Sequence, residues 1–424
     1  MSSFRRTQPP LHPFDAQIDI PLKSLTLGNG VPVYIIEAGT EDVIRFECVF
    51  RAGIIKESRP LLASTANMML TEGSVNYTAE EMNETLDYYG IFLNLQAERD
   101  TASLTAYFLS RYFEKAMELF AEILFRPVFP GTELEKLMMK RLNWYRINRE
   151  KVQKIAGDRF LESVFGPAHP YGRQVAEADF EGLSPSILRD FHGNFYRPED
   201  MAVIVSGRIP DSAVTSMEKH FGHLRSEKIQ SPAAESPIEG LSVKKDHISK
   251  KGAVQTAVRI GSATINKRHP DYHGLKFLNV TLGGYFGSRL MKNLREDKGY
   301  TYGIHSIVSS FDKSGLWMIS TEVGRENSSK AVEEIKKEIK LLMKKPVPAD
   351  EMEVVGNYMA GELVRSFDGP MAIAESFRSA WEFGLDMSYF SKMMHTIRTI
   401  TPEEVLQLAN TYYNIEDLYE ITAG

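Results

Sequence analysis

The strongest constraint on the fold of this chain is that it repeats itself. The segment from Leu183 to Gly207 aligns without a gap onto Ile400 to Gly424, at an offset of 217 (402 against 185). Such self-similarity is the mark of a duplicated structural unit. Pro185/Pro402, Tyr196/Tyr413, Glu199/Glu416, Asp200/Asp417 and Gly207/Gly424 are identical, and the apolar positions between them correspond. Ser184-Pro185 and Thr401-Pro402 each read as an N-cap followed by proline at the first helical position, so both copies open a helix in the same way. A second, collinear match joins the helical stretch Ala116–Phe125, running into Pro127-Val128-Phe129-Pro130, to Ala331–Met343, running into Pro346-Val347-Pro348. The second copy is about one turn longer. Two halves therefore share one plan: a domain over 15–225, a Ser/Pro/Glu-rich linker over 226–240, and a second domain over 241–424.

Each half mixes strands and helices. Ile44, Phe46, Cys48 and Phe50 alternate with Arg45, Glu47 and Arg51, the period of two expected for a strand with one buried face. Val254, Thr256, Val258 and Ile260 repeat it in the second half. Thr78-x-x-Glu81 and Thr132-x-x-Glu135 read as capping boxes, and from Glu133 a long helix is expected through about Phe165. Strands grouped before helices in each half favour an α+β fold over a doubly wound parallel one: two homologous domains, each a mainly antiparallel sheet with helices on one face.

With 424 residues, 43% of them apolar, there is enough chain for two cores. Its net charge of -6, with both signs interspersed, argues against nucleic acid as a partner. The single cysteine, Cys48, rules out an internal disulfide and a thiolate metal cage. No apolar run is long enough to span a bilayer, so no membrane is expected. A cytoplasmic location is the expectation; an acid-free first 14 residues carrying Arg5 and Arg6 keep an organellar presequence as the alternative.

The run Phe50-Arg51-Ala52-Gly53, continuing through Leu62-Ala63-Ser64-Thr65-Ala66-Asn67-Met68-Met69-Leu70-Thr71-Glu72-Gly73-Ser74, resembles the segment where pitrilysin/insulinase-family peptidases carry the inverted zinc motif His-x-x-Glu-His. There two histidines on one helical face hold zinc, and the glutamate between them is the base for metal-bound water. The matching positions here are Ala63, Ala66 and Asn67. Alanine offers neither ligand atom nor proton acceptor, and a neutral asparagine oxygen is a poor zinc ligand. The family's third ligand, a glutamate, falls on Trp144, flanked by Asn143 and Tyr145. Metal is therefore expected to be absent from this chain. His220 and His223 share a helical face but lack a third ligand. His169-Pro170-Tyr171-Gly172 reads as a structural turn, and His269 and His273 as residues around a helix start.

In the second half, Leu282-Gly283-Gly284-Tyr285-Phe286-Gly287-Ser288-Arg289-Leu290-Met291-Lys292-Asn293-Leu294-Arg295-Glu296-Asp297-Lys298-Gly299-Tyr300-Thr301-Tyr302-Gly303 resembles the C-terminal motif of the same family. Arg295 and Tyr302 reproduce the spacing of its substrate-clamping arginine and tyrosine. A phenol can donate to the oxyanion that forms as water attacks a peptide carbonyl, and a guanidinium stabilises the same charge. The plainer alternative has Arg295 paired with Glu296 or Asp297 on a solvated helix end. No Gly-Lys-Ser/Thr follows Gly283, Gly284 and Gly287, so these glycines read as allowing close backbone approach and not phosphate binding. Ser288 has no His/Asp partners nearby in sequence.

The resemblance runs from about Leu25 to Gly424 and implies half of a clamshell. Two-chain members of the family, such as mitochondrial processing peptidase, pair a zinc-bearing subunit with one lacking the motif, and this sequence is similar to the second kind. The expectation is a heterodimer whose homologous partner supplies zinc, base and third ligand, while Arg295 and Tyr302 orient a peptide substrate held by strand addition. The competing expectation is a structural or peptide-binding protein of the same fold with no part in proteolysis.

Overall fold

The computed structural model describes residues 21–225 and 237–424; the expected linker lies mostly outside the described residues. In the first half the strands are β1 (Leu22–Thr26), β2 (Pro32–Glu37), β3 (Val43–Phe50), β4 (Phe92–Ala97), β5 (Ala102–Leu109) and β6 (Met201–Gly207). The helices are α1 (Leu62–Met68), α2 (Ala79–Tyr88), α3 (Phe113–Phe125), α4 (Gly131–Asn148), α5 (Val152–Phe165), α6 (Pro185–Phe195) and α7 (Ala213–Phe221). The second half has β7 (Lys245–Ile248), β8 (Gln255–Thr264), β9 (Thr301–Ser310), β10 (Gly315–Gly324) and β11 (Tyr419–Ala423). Its helices are α8 (Tyr272–Asn279), α9 (Ser328–Lys344), α10 (Ala349–Arg365), α11 (Gly369–Trp381), α12 (Ser388–Thr399) and α13 (Pro402–Tyr412).

The two sheets have one topology. The first runs β1-β2-β6-β3-β5-β4 and the second β7-β11-β8-β10-β9, the same order without the outer β1. Each is antiparallel except for one parallel pair, β2 with β6 and β7 with β11. The duplication holds to the residue at its best-matched part: α6 and α13 share the offset of 217, and each is capped by its expected side chain, Ser184 receiving Ile187 N and Thr401 receiving Glu404 N. At the matched prolines, α9 outruns α3 by four residues.

Helices of each half cover one face of its own sheet. Phe46 stacks on Phe120 and Phe221, and Phe50 packs against Tyr196. The other face departs from the sequence expectation. Arg45 and Glu47, expected on an open face, are 3% and 0% exposed. α11, from the second half, lies across them, burying Ile373, Ala374 and Phe377 against Ile36, Val49 and Ile204. Reciprocally, α5 of the first half lies on β8 and β11, with Phe160, Val164 and Phe165 against Leu316, Tyr419 and Ile421. Each half thus lends one helix to the other's sheet. Arg378 of α11 follows the apolar contact with an ion pair to Glu47 at 2.6 Å and reaches Glu98 at 3.3 Å.

This exchange explains a second correction. The expected continuous helix from Glu133 to Phe165 is two helices, broken where Lys151 takes an extended backbone (φ -80, ψ 129). No proline or glycine marks the break; the chain turns because α5 must reach the opposite sheet, a tertiary demand that overrides local propensity. The Thr132 capping box does not form, since α4 already begins at Gly131 behind Pro130, whereas the Thr78 box does. Val254, expected in a strand, precedes β8 and is exposed.

Candidate functional site

Ala63, Ala66 and Asn67 all lie on α1, and all three are fully buried. Asn67 Nδ2 donates to Tyr196 Oη at 3.0 Å and to Ser103 O at 3.4 Å, while its Oδ1 has no partner. The amide is turned into the core by these bonds. Glu57 caps the start of the helix, its Oε2 accepting Ala63 N at 3.1 Å and its Oε1 accepting Arg173 Nη2 at 2.9 Å. Burial nevertheless pushes the Glu57 carboxyl above its usual range.

Trp144, on α4, is 64% exposed. The residue of α4 that does reach α1 is Arg141, one the sequence reading passed over. Its Nη1 donates to Thr65 Oγ1 at 2.5 Å and its Nη2 to Ser64 Oγ at 2.8 Å. No local pattern marks it, because its partners lie 76 and 77 positions away in the chain. The donor set does not suit zinc: two alanines, an asparagine whose NH₂ points into the core, and an indole. Among the described residues no three His, Cys, Asp or Glu side chains converge as a metal site. His220 instead pairs with Glu114 at 2.9 Å, and Lys219, Ser216 and His220 together hold the Glu114 carboxyl down to about 2. His169 Nδ1 accepts Tyr171 N and His269 Nδ1 accepts Asp271 N, turn-forming contacts as expected.

The second-half motif makes a different arrangement. The glycine-rich turn follows α8; a Cβ at Gly283 would meet Ser306 Cβ of β9 at 2.8 Å, so the glycine permits the close approach anticipated for it. Wide π-type helical turns span Met291–Asp297, and Tyr300 N donates to Leu294 O at 2.9 Å, closing the turn that leads into β9. Arg295 leaves that helix with its guanidinium 4.4 Å from the centroid of the Phe286 ring. It forms no ion pair with Glu296, Asp297 or any other described residue. Phe286, also missed from sequence, is 62% exposed. Tyr302 is 98% exposed near the start of β9, the outermost strand of its sheet. No hydrogen bond joins Arg295 to Tyr302. Ser288 is buried and its Oγ has no hydrogen-bond partner, so no histidine activates it.

Two duplicated α+β halves of one sheet topology, with no converging metal ligands among the described residues, define the class of scaffold. Residues 57–178 match the family described as Insulinase (Peptidase family M16), and residues 182–357 match Peptidase M16 inactive domain. The chain belongs to this family, as a member lacking the zinc ligands. It is 26% identical over 355 residues to the uncharacterized zinc protease YmxG of Bacillus subtilis, covering 82% of this chain and 85% of that one. A non-peptidase homolog YmxG of Helicobacter pylori is 22% identical over 362 residues, covering 84% and 83%. Among solved structures, a protease from Helicobacter pylori superposes with a TM-score of 0.87 at 17% identity over 96% of this chain and all of that one. The periplasmic protease PqqL of Escherichia coli superposes with a TM-score of 0.78 at 14% identity, over 98% of this chain but 48% of that one. No helix among the described residues is long and apolar enough to cross a membrane.

Proposed function

We propose that this chain is the non-catalytic subunit of a two-chain zinc peptidase, binding peptide substrate and presenting Arg295 and Tyr302 to a zinc site carried by a homologous partner. The observation that carries the reading is the state of Arg295: a guanidinium held over an aromatic face with no ion pair among the described residues, followed seven positions on by a phenol almost wholly in solvent. A structural ion pair would have used the adjacent Glu296 or Asp297. The outer edge of β9 offers unpaired backbone groups to an extended peptide, which gives affinity without strict sequence dependence. Zinc, base and water would come from the partner, since α1 has nothing to hold them.

The test is co-purification with a homologous chain bearing His-x-x-Glu-His, then Tyr302→Phe in the reconstituted pair. Turnover should fall by roughly 10²-fold with assembly intact. An unchanged rate would reject the site assignment. The second reading, a peptide-binding protein of this fold with no proteolytic role, draws on the buried, repacked α1 and on the name of the Helicobacter relative, a non-peptidase homolog. It predicts peptide binding by the isolated chain and no complex with a zinc-bearing homologue.

A further inference from the structure

The glycine-rich turn and the helix after it carry two arginines in opposite states. Arg289 gives a bidentate ion pair to Glu351 of α10, its Nε and Nη2 lying 2.8 and 2.7 Å from the two carboxylate oxygens. Arg295 is half-buried and makes no hydrogen bond or ion pair with any described residue. What it has instead is the Phe286 ring, whose centroid lies 4.4 Å from its Cζ. A long cationic side chain with no partner ordinarily samples many rotamers, because nothing offsets the entropy of holding one. An aromatic face attracts the charge without neutralising it, and it leaves the N–H donors of the guanidinium fork unspent.

The turn is built to keep that ring in place. Tyr285 stacks on Tyr358 with centroids 4.9 Å apart and planes at 29°. Ser288 N donates to Tyr285 O at 3.1 Å, and a Cβ at Gly287 would come within 2.7 Å of Tyr285 Cε2, so only glycine lets the chain fold this tightly behind the tyrosine. Tyr358 and Glu351 both belong to α10, about two turns apart on one face. Phe286 therefore has a residue anchored to α10 on either side of it, Tyr285 before and Arg289 after, while its own side chain stays 62% exposed. Burial does not account for a phenylalanine at such a position; the guanidinium over its face does. The π-type turns that carry Arg295 point the same way, since they are rare and recur at functional sites.

We infer that Phe286 is a positioning residue, its ring fixing the direction of the Arg295 guanidinium while leaving it charged and with its donors free for a peptide carbonyl. The fixed guanidinium follows from the contact alone; its use in peptide cleavage rests on the function proposed above.

Two experiments separate these claims. In the isolated full chain with isotope-labelled arginine, the Arg295 Nε–H resonance, assigned by its loss in Arg295→Lys, should be displaced upfield by the ring and should report restricted motion. Phe286→Leu keeps apolar bulk without a ring face and should release that motion, whereas Phe286→Trp, the stronger cation partner, should retain it. Phe286 stands mostly in solvent, so neither change reaches the core. Arg289, held by Glu351, should give the same resonance throughout. An Arg295 resonance that is not displaced, or that is equally ordered in Phe286→Leu, would overturn the assignment. In the reconstituted pair, Phe286→Leu should lower kcat by about 2–5-fold with KM little changed, and Phe286→Trp should restore it. Added to Arg295→Met, Phe286→Leu should cause no further loss, because the ring acts only through the guanidinium; additive losses would overturn the positioning role. If Arg295→Met by itself leaves turnover unchanged, it is the peptidase role that falls, and the ordering of Arg295 by the ring is still decided by the resonance.

Discussion

The duplication sets up an experiment in which one substitution at two equivalent positions should act with opposite sign. Tyr196 and Tyr413 end the matched helices α6 and α13, and both rings are buried, 3% and 0% exposed. Burial pushes both phenols above their usual range. Tyr196 Oη accepts Asn67 Nδ2 at 3.0 Å, whereas Tyr413 Oη has no partner and its ring lies on Trp317 with centroids 4.0 Å apart. Tyr196→Phe leaves Asn67, whose Oδ1 is already unpaired, with only the 3.4 Å bond to Ser103 O. Stranding a buried donor in this way costs about 1–3 kcal/mol. Tyr413→Phe strands nothing and removes an unpaired hydroxyl from the core, so it should be neutral or stabilising by about 1 kcal/mol. The predicted gap between the variants is therefore about 1–4 kcal/mol from identical chemistry. Because a chain with two cores need not unfold in one step, urea unfolding should be read alongside hydrogen exchange on α6 and α13 separately. Equal destabilisation by both variants would refute the reasoning and place an ordered water on Tyr413 Oη.

The joint between the halves and the response to acid are open to similar tests. Arg378→Met removes the cation that holds Glu47, Glu382 and Glu98 at 2.6, 2.9 and 3.3 Å, leaving the fully buried Glu47 with Arg45 and the Thr105 hydroxyl. The loss should be about 3–5 kcal/mol, with α11 and β6 the first to lose exchange protection; a loss below about 1 kcal/mol would mean the apolar contact of α11 suffices. His192 is held neutral by burial, its pKa lowered from 6.5 to about 4, with Nε2 2.7 Å from Leu124 O. Since its folded pKa lies below the unfolded one, the unfolded chain takes up the extra proton. The contribution is complete above about pH 6.5 and is lost as pH falls towards 4, by up to about 3 kcal/mol. His192→Gln should flatten that part of the stability profile, and parallel profiles for the two proteins would contradict it.

How much of the structure is legible in the residues depends on the range of the forces involved. Caps and helix starts are local, and Ser184, Thr401 and Thr78 behave as their neighbours dictate. Residue identity alone shows that alanine binds no metal. The exchange of α5 and α11 is another matter, because a strand buried on both faces by the other half of the chain looks, residue by residue, like one open to water. Arg45 and Glu47 alternate with Phe46 and Cys48 just as solvent-facing residues would. Only the third charge, Arg378, more than three hundred positions away, makes their burial tolerable, and no local pattern announces such a partner. Phe286 and Arg141 escape notice for the same reason, each defined by what it touches and not by its place in a motif.

The two halves hold their motif positions differently. In the first, α1 and α4 are tied by Arg141, which gives two hydrogen bonds to the Ser64 and Thr65 hydroxyls, while Asn67 turns towards Tyr196. A guanidinium bonded to two hydroxyls fixes the helices against each other, and Ala63, Ala66 and Asn67 are all buried on α1. Trp144, on the same helix as Arg141, is exposed. The second half differs: Arg295 is half-buried against the Phe286 ring, and Tyr302 is 98% exposed. If Arg295 and Tyr302 act as proposed, that contrast is the expected one: positions that carry no ligand atom are closed into the core, while the phenol that would meet substrate stands in solvent on the outer strand of its sheet.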